Sequence, residues 1–403
     1  MSVRTYSAAQ MRQAGSLKWT GITRADGSPT LGAWVAEMDF GTAPVVEEAI
    51  IGAIRGGFTG YQPTWLAPRL AEATAAYQSA VHGWQVEAGA IRPARSVLGA
   101  LALALDTVVP AGAAVIVPTP AYMPFLTIPP AHGHPVIEVP ALYTPGNGAV
   151  WALDLERIRR ACEAGAGMLI LCNPWNPTGR VLSEAELRAL HAVLADYEVV
   201  VFSDEIHAPL VMDDSPFISY ASLGPESAAH TVTAVAASKG WNIAALPCAQ
   251  VILPDEALRE RWMAADDQLA HEMNSYGALA AIAAYETASS PGGEPWLEEV
   301  KVIVRGNFDM LDEAFYSSPT SDSALCFHRP QATYLTWWDF SALCLEGDAS
   351  PDAQLREVGG VSTNAGRSLG AGFERWARIN VGCAPETAGL IVEAINATYP
   401  GMH

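Results

Sequence analysis

Val199-Val200-Val201-Phe202 is apolar at every position and runs directly into Ser203-Asp204. A strand with one wet face alternates apolar and polar residues. A run with no polar position instead reads as an inner strand of a parallel sheet, covered on both faces. The pattern returns over 231–236, just ahead of Lys239, and shorter β-branched or aliphatic runs stand at 114–117, 135–139 and 168–171. Between them a helix is predicted over 183–194, opened by a capping box of Ser183 and Glu186. Strand, loop and helix recur in this way for about 150 residues, which predicts a three-layer, mostly parallel α/β unit.

The flanks are helical. A threonine cap at Thr42 with Pro44 in the first turn predicts a helix over 42–57, and a second is expected over 68–82. After Gly99 the alanine-rich segment to Val109 alternates like a strand, but its composition and length favour a buried helix. The chain reads as helical from 256 to about 288, breaks at Ser289-Ser290-Pro291-Gly292-Gly293, and resumes as a helix over 296–311. Strands are expected over 332–338 and 378–381, with a closing helix from Pro385. A chain of 403 residues is long for one core. The expected division is a large domain over 45–288 and a smaller α+β domain built from 1–44 and 289–403.

Half of the residues are apolar and 16% are charged, the composition of a well-packed globular protein. Against 43 acidic residues stand 23 Lys and Arg, a net charge of -20, which disfavours a nucleic acid partner. A local basic pocket for an anionic small molecule remains compatible with that charge. Residues 1–19 lack the apolar stretch of a signal peptide, and no segment has the roughly 18 apolar residues of a membrane span, so neither membrane attachment nor export is expected. The six cysteines are scattered without close pairs, which fits reduced thiols in the cytoplasm and gives no metal-site spacing.

The candidate chemistry lies at strand ends, where ligands bind in open α/β sheets. Lys239 stands between small residues in Ala237-Ser238-Lys239-Gly240, thirty-five residues after Asp204. Such a lysine can form an imine with an aldehyde cofactor, and a strand-end carboxylate can keep that cofactor's ring nitrogen protonated. Pyridoxal phosphate needs both. Asp204 is the favoured carboxylate, with Glu205 as the alternative. His207 could approach the ring or serve only the structure. The rigid loop Asn173-Pro174-Trp175-Asn176-Pro177-Thr178-Gly179 can present Asn176 as a donor. Gly99-Ala100-Leu101 opens a helix whose amides could hold a phosphate, with Ser238 adding a hydroxyl, although ordinary capping explains the tripeptide equally well. Tyr122 and Tyr61 supply aromatic faces that could cover a ring or simply pack.

Together these motifs resemble a fold-type I pyridoxal phosphate enzyme of the class I/II aminotransferase superfamily. The resemblance extends to the cystathionine β-lyase/cysteine-S-conjugate lyase branch of MalY/PatB type. It is carried by Ser16-Leu17-Lys18-Trp19, Trp34-Val35-Ala36-Glu37-Met38-Asp39-Phe40, Thr119-Pro120-Ala121-Tyr122, Ser203-Asp204-Glu205-Ile206-His207 and Ser238-Lys239 followed by Asn242-Ile243-Ala244. The resemblance implies Lys239 as the cofactor-bearing lysine, Asp204 as partner of the ring nitrogen, Asn176 at the phenolic oxygen, Tyr122 on the ring and Ser238 at the phosphate. It further implies Arg378 as the grip on the substrate carboxylate, a bidentate task suited to guanidinium. Tyr61 would come from the neighbouring subunit of a homodimer, near the reacting atoms. The implied activity is carbon–sulfur β-elimination on an L-cysteine S-conjugate. Aminotransfer is the alternative, and decarboxylating or oxidative chemistry on an unusual amino acid a more distant one.

This chain departs from the branch in places. Trp175 replaces a usual histidine, Gly240-Trp241 a usual threonine-phenylalanine, and Thr363-Asn364-Ala365-Gly366 a proline-glycine turn. Pro247, by contrast, supports the branch: it stands where many aminotransferases carry a phosphate-binding arginine that the lyase branch often lacks too. The two tryptophans are expected to reshape the pocket, with Trp175 touching the substrate.

Overall fold

The computed structural model describes residues 3–144, 150–266, 273–316, 326–343 and 350–400. Seven strands form the main sheet: β1 (Ile91–Ala94), β2 (Ala114–Thr119), β3 (Val136–Pro140), β4 (Ala166–Cys172), β5 (Val200–Asp204), β6 (Thr231–Val235) and β7 (Ala249–Ile252). Their order is β1-β7-β6-β5-β4-β2-β3. From β6 to β3 the neighbours run parallel, while β7 is antiparallel to both β1 and β6. The sheet is therefore mixed at one edge, where the sequence had suggested no strand.

The inner strands lack alternation because both faces are buried. Along β4, Met168 and Ile170 pack with Leu101, Leu105 and Phe202, whereas Leu169 and Leu171 pack on the opposite side with Leu187, Leu190 and Val201. Each such side chain contributes about 1.5–3 kcal/mol when withdrawn from water. The two faces are covered by α1 (Val97–Val108) and α2 (Glu184–Leu194), among others. In α2 the expected capping box of Ser183 and Glu186 is present.

Other boundaries move for local reasons. The first long helix spans Pro44–Arg55 and is capped at Ala43 without a side-chain bond. Thr42 does not cap it, because its Oγ1 donates to the Trp241 carbonyl at 2.7 Å. The next helix begins two residues earlier than expected, Leu66–His82. The segment from 256 divides into Glu256–Asp266 and Ser275–Ser289, residues 267–272 lying outside the described residues. The helix after the glycine break is longer than expected, Pro295–Tyr316.

A second, antiparallel sheet contains β8 (Cys326–Phe327), β9 (Leu335–Asp339), β10 (Asn364–Ala365) and β11 (Trp376–Asn380), in the order β8-β9-β11-β10. Strand β9 starts later than expected because Thr333 takes a left-handed backbone (φ 73°) and its Oγ1 accepts the Leu335 N–H. The closing helix is Pro385–Thr398. Early residues lock onto this sheet: Asn380 Nδ2 donates to the Val35 and Glu37 carbonyls. Lys18 Nζ lies 3.0 Å from Asp39 Oδ2, both side chains fully buried, and the Trp19 indole donates to Asp39 Oδ1 at 2.8 Å.

Candidate active site

The carboxyl ends of β4, β5 and β6 open into a cavity of about 250 Å³. Tyr122, Asn176, Asp204, His207, Ser238 and Lys239 all line it. The strand-end rule thus gathers residues that are as many as 117 positions apart in the chain.

Asp204 is the last residue of β5, and among the described residues only one of its carboxylate oxygens has a donor, the Ile206 N–H at 3.0 Å. Burial lifts its carboxyl to about 6, partly opposed by that N–H and by Lys239. Glu205 points away from the cavity and accepts from Ser203 and Ser219, at 2.9 and 2.8 Å. Of the two acidic candidates, the structure brings only Asp204 into the cavity. His207 is buried with Nδ1 unpartnered among the described residues, and burial, aided by Lys239 and Arg378, lowers it to about 3, so its ring is neutral. Lys239 Nζ donates to the Ala36 carbonyl at 2.5 Å. Its amine is brought down to about 8, first by burial and then by Arg378, against the pull of Glu37 and Asp204.

The loop after β4 is tied down by Asn173, whose Oδ1 accepts the Leu182 N–H at 2.9 Å. Gly179 is required there: its φ is +70°, and a Cβ would overlap Pro330. Asn176 is thereby held against Arg378 of β11, its Oδ1 accepting from Nη1 at 3.1 Å. Arg378 Nη2 donates to the Trp34 carbonyl at 2.9 Å and to Asn364 Oδ1 at 2.5 Å, while Nε is buried with no partner among the described residues. Burial lowers this guanidinium to about 10, so it stays charged at neutral pH.

Several expected residues fall elsewhere. Helix α1 starts at Val97, and the Gly99 N–H is taken by the cap Ser96 Oγ at 3.0 Å. The Ala100 N–H bonds to the Ser96 carbonyl and Leu101 is buried in the core. At this helix end it is Ser96, Val97 and Leu98, rather than Gly99-Ala100-Leu101, that line the cavity. The Ser96 hydroxyl two residues before Leu98 was the signal for this shift.

Trp175 does not line the cavity. Its indole donates to the Pro120 carbonyl at 2.8 Å and its ring lies in the core beside Leu171 and Tyr220. Trp241 is fully buried too, edge-on to Tyr77 and Tyr285 at 6.0 and 5.8 Å. Gly240 beside it leaves room for Pro209, which a Cβ would meet at 2.8 Å. Both tryptophan departures are core changes. Tyr61 is fully exposed and outside its own chain's cavity. Sequence reading also missed Ala36 and Asn364, because a backbone carbonyl has no sequence signature and Asn364 becomes meaningful only when β10 pairs with β11.

The family pattern "Aminotransferase class I and II" matches residues 35–395. The chain belongs to that family. It is 33% identical over 378 residues to "Cystathionine beta-lyase" of Corynebacterium glutamicum, covering 94% of this chain and 95% of that one. It is also 33% identical to "Cystathionine beta-lyase PatB" of Bacillus subtilis, over 92% and 93% of the two chains. A PLP-bound C-S lyase from Staphylococcus hominis superposes with a TM-score of 0.83 at 26% identity, over 92% of each chain. Family membership and these relatives make the chain a pyridoxal-phosphate-dependent enzyme of the carbon–sulfur lyase branch.

The cavity suits pyridoxal phosphate. Asp204 is a buried carboxylate with no cation bonded to it, as a protonated ring nitrogen requires. Pro247 lines the wall where an arginine could have held phosphate. That leaves the Val97 and Leu98 amides at the start of α1 and the Ser238 hydroxyl as the donors at hand.

Proposed function

We propose that this enzyme cleaves the carbon–sulfur bond of an L-cysteine S-conjugate to give a thiol, pyruvate and ammonia. The observation that carries the reading is the convergence of the Lys239 amine and the buried Asp204 carboxylate on one cavity, with the Arg378 guanidinium behind the wall residue Asn176, to which it donates. Names of relatives from Corynebacterium glutamicum and Bacillus subtilis support elimination over aminotransfer.

Lys239 would hold the cofactor, Asp204 its ring nitrogen, Asn176 its phenolic oxygen and Tyr122 its ring face. Ser238 would take the phosphate with Val97 and Leu98, and neutral His207 would complete the wall beside the ring. Bound pyridoxal phosphate supplies an electron sink conjugated to the substrate Cα. Arg378 would grip the α-carboxylate, its planar fork oriented by Asn176 and Asn364. Lys239 Nζ, freed when the substrate amine takes its place on the cofactor, would accept the Cα proton as general base and become an ammonium. The C–S electron pair leaves with sulfur, which ends as the thiol once protonated, and water completes the conversion to pyruvate and ammonia. Tyr61, exposed on a glycine-flanked loop, would reach the cavity of a second copy in a homodimer. Cys162, Cys172, Cys248 and Cys383 are free thiols, in keeping with a reducing cytoplasm.

The test is a product assay on cystathionine and on bulky S-alkyl cysteines, with and without a keto acid. Thiol and pyruvate formed without the acceptor are expected. A new amino acid formed only with the acceptor, and no thiol, would replace this reading with aminotransfer. Oxygen-dependent release of carbon dioxide would replace it with oxidative decarboxylation.

A further inference from the structure

The Ala36 carbonyl accepts two side chains at once. Lys239 Nζ lies 2.5 Å from its oxygen and the Tyr334 hydroxyl 2.9 Å from the same atom. A carbonyl oxygen has two lone pairs, so this pairing saturates it. The strip that carries Ala36 is held from several sides. Asn242 Oδ1 accepts the Met38 N–H and its Nδ2 donates to the Met38 and Phe40 carbonyls, while Asn380 holds Val35 and Glu37. Tyr334 is fully buried, and burial raises its hydroxyl far above neutrality, so it remains a donor across the working pH range.

We propose that Tyr334 is a positioning residue for the Lys239 amine, acting through the Ala36 carbonyl that both groups share. The inference rests on Lys239 being the reacting amine. After taking the Cα proton, Lys239 is an ammonium and needs an acceptor within reach; the Ala36 oxygen provides one at a fixed point. The Tyr334 O–H withdraws electron density from that oxygen, so the carbonyl orients the ammonium without holding its proton too firmly. Without the hydroxyl, the carbonyl becomes a better acceptor for Lys239 alone and the amine gives up its proton at higher pH. The other ionisable groups around the amine are Arg378 from β11, Glu37 from the strip, Asp204 at the end of β5, His207 after it, and Tyr122, which faces Asp204 and Arg378. Tyr334→Phe leaves each of them in place.

The test measures acylation of Lys239 against pH in the cofactor-free full chain, read by peptide mass spectrometry. The acid limb of kcat in the loaded enzyme is followed in parallel. Y334F should move the Lys239 midpoint up by roughly half a pH unit, the scale of one net hydrogen bond. 3-Fluorotyrosine at position 334, a stronger donor, should move it down, and the kcat limb should shift in the same direction in each case. A variant that cannot fold still leaves the other to decide. Coincident labelling curves for wild type and the folded variants, even with reduced activity, assign Tyr334 a merely structural role and overturn the proposal. Failure of the Lys239 assignment itself looks different, since Lys239→Ala would then retain a reducible cofactor adduct at another lysine.

Discussion

Asp204→Asn should make the cofactor-free protein more stable while weakening its hold on pyridoxal phosphate. Burial raises the Asp204 carboxyl from 3.8 to about 6, with only the Ile206 N–H and the more distant Lys239 pulling the other way. At about 1.36 kcal/mol per pH unit, a rise of about two pH units burdens the folded state by about 3 kcal/mol once the group is ionised. The folded carboxyl binds its proton more tightly than the unfolded one. The burden is therefore absent below the unfolded value near 4, grows as pH rises to about 6, and is complete above that. Asparagine carries no charge and can still accept the Ile206 N–H. Urea unfolding of cofactor-free protein should show the variant about 3 kcal/mol more stable at about pH 7.5, with the difference fading near pH 4. Cofactor titration should show weaker binding by the variant at neutral pH, because the ring nitrogen loses its counter-charge. A variant no more stable than wild type at about pH 7.5, or a difference that does not change with pH, would refute the reasoning.

The fold was legible wherever periodicity and burial coincide. The inner strands β4, β5 and β6 lack alternation because helices cover both faces, so their hydrophobic runs announce them. Strand β7 gives a weaker signal because it includes Gln250, buried with its Oε1 accepting from the Tyr285 hydroxyl at 2.9 Å and its Nε2 donating to Cys248 Sγ. No local pattern reveals a partner thirty-five residues away. The site follows the same division. Lys239, Asp204 and Asn176 sit at strand ends and could be found from their positions in a repeating unit. Trp175 and Trp241 stand one and two positions from motif residues in sequence, but a neighbouring side chain along a turn points elsewhere, and both rings face the core. Adjacency to a motif is weak evidence of adjacency to a ligand. The Ala36 carbonyl illustrates the converse: a backbone atom becomes a site element only because Asn242 and Asn380, 206 and 344 residues away, fix the strip that carries it.

Two further outcomes are expected. Tyr61 is exposed in its own chain, so light scattering should find a dimer, and a fully active monomer would remove Tyr61 from the site. Lys18→Met should destabilise the protein by about 3–5 kcal/mol, because it leaves the buried Asp39 carboxylate with the Trp19 indole and no cation. Burial already raises the Asp39 carboxyl, with Lys18 the main group holding it down, so removing Lys18 lets it rise further. An uncompensated carboxylate is most costly when ionised. The deficit of K18M relative to wild type in urea unfolding should therefore be larger at about pH 8 than at about pH 5. Replacing both partners with apolar residues, Lys18→Met with Asp39→Leu, should recover most of the loss, since the cost lies in the unpaired charge rather than in the missing pair. If the double variant is as unstable as K18M at both pH values, the pair contributes through packing of the early residues on β11 and not through its charge.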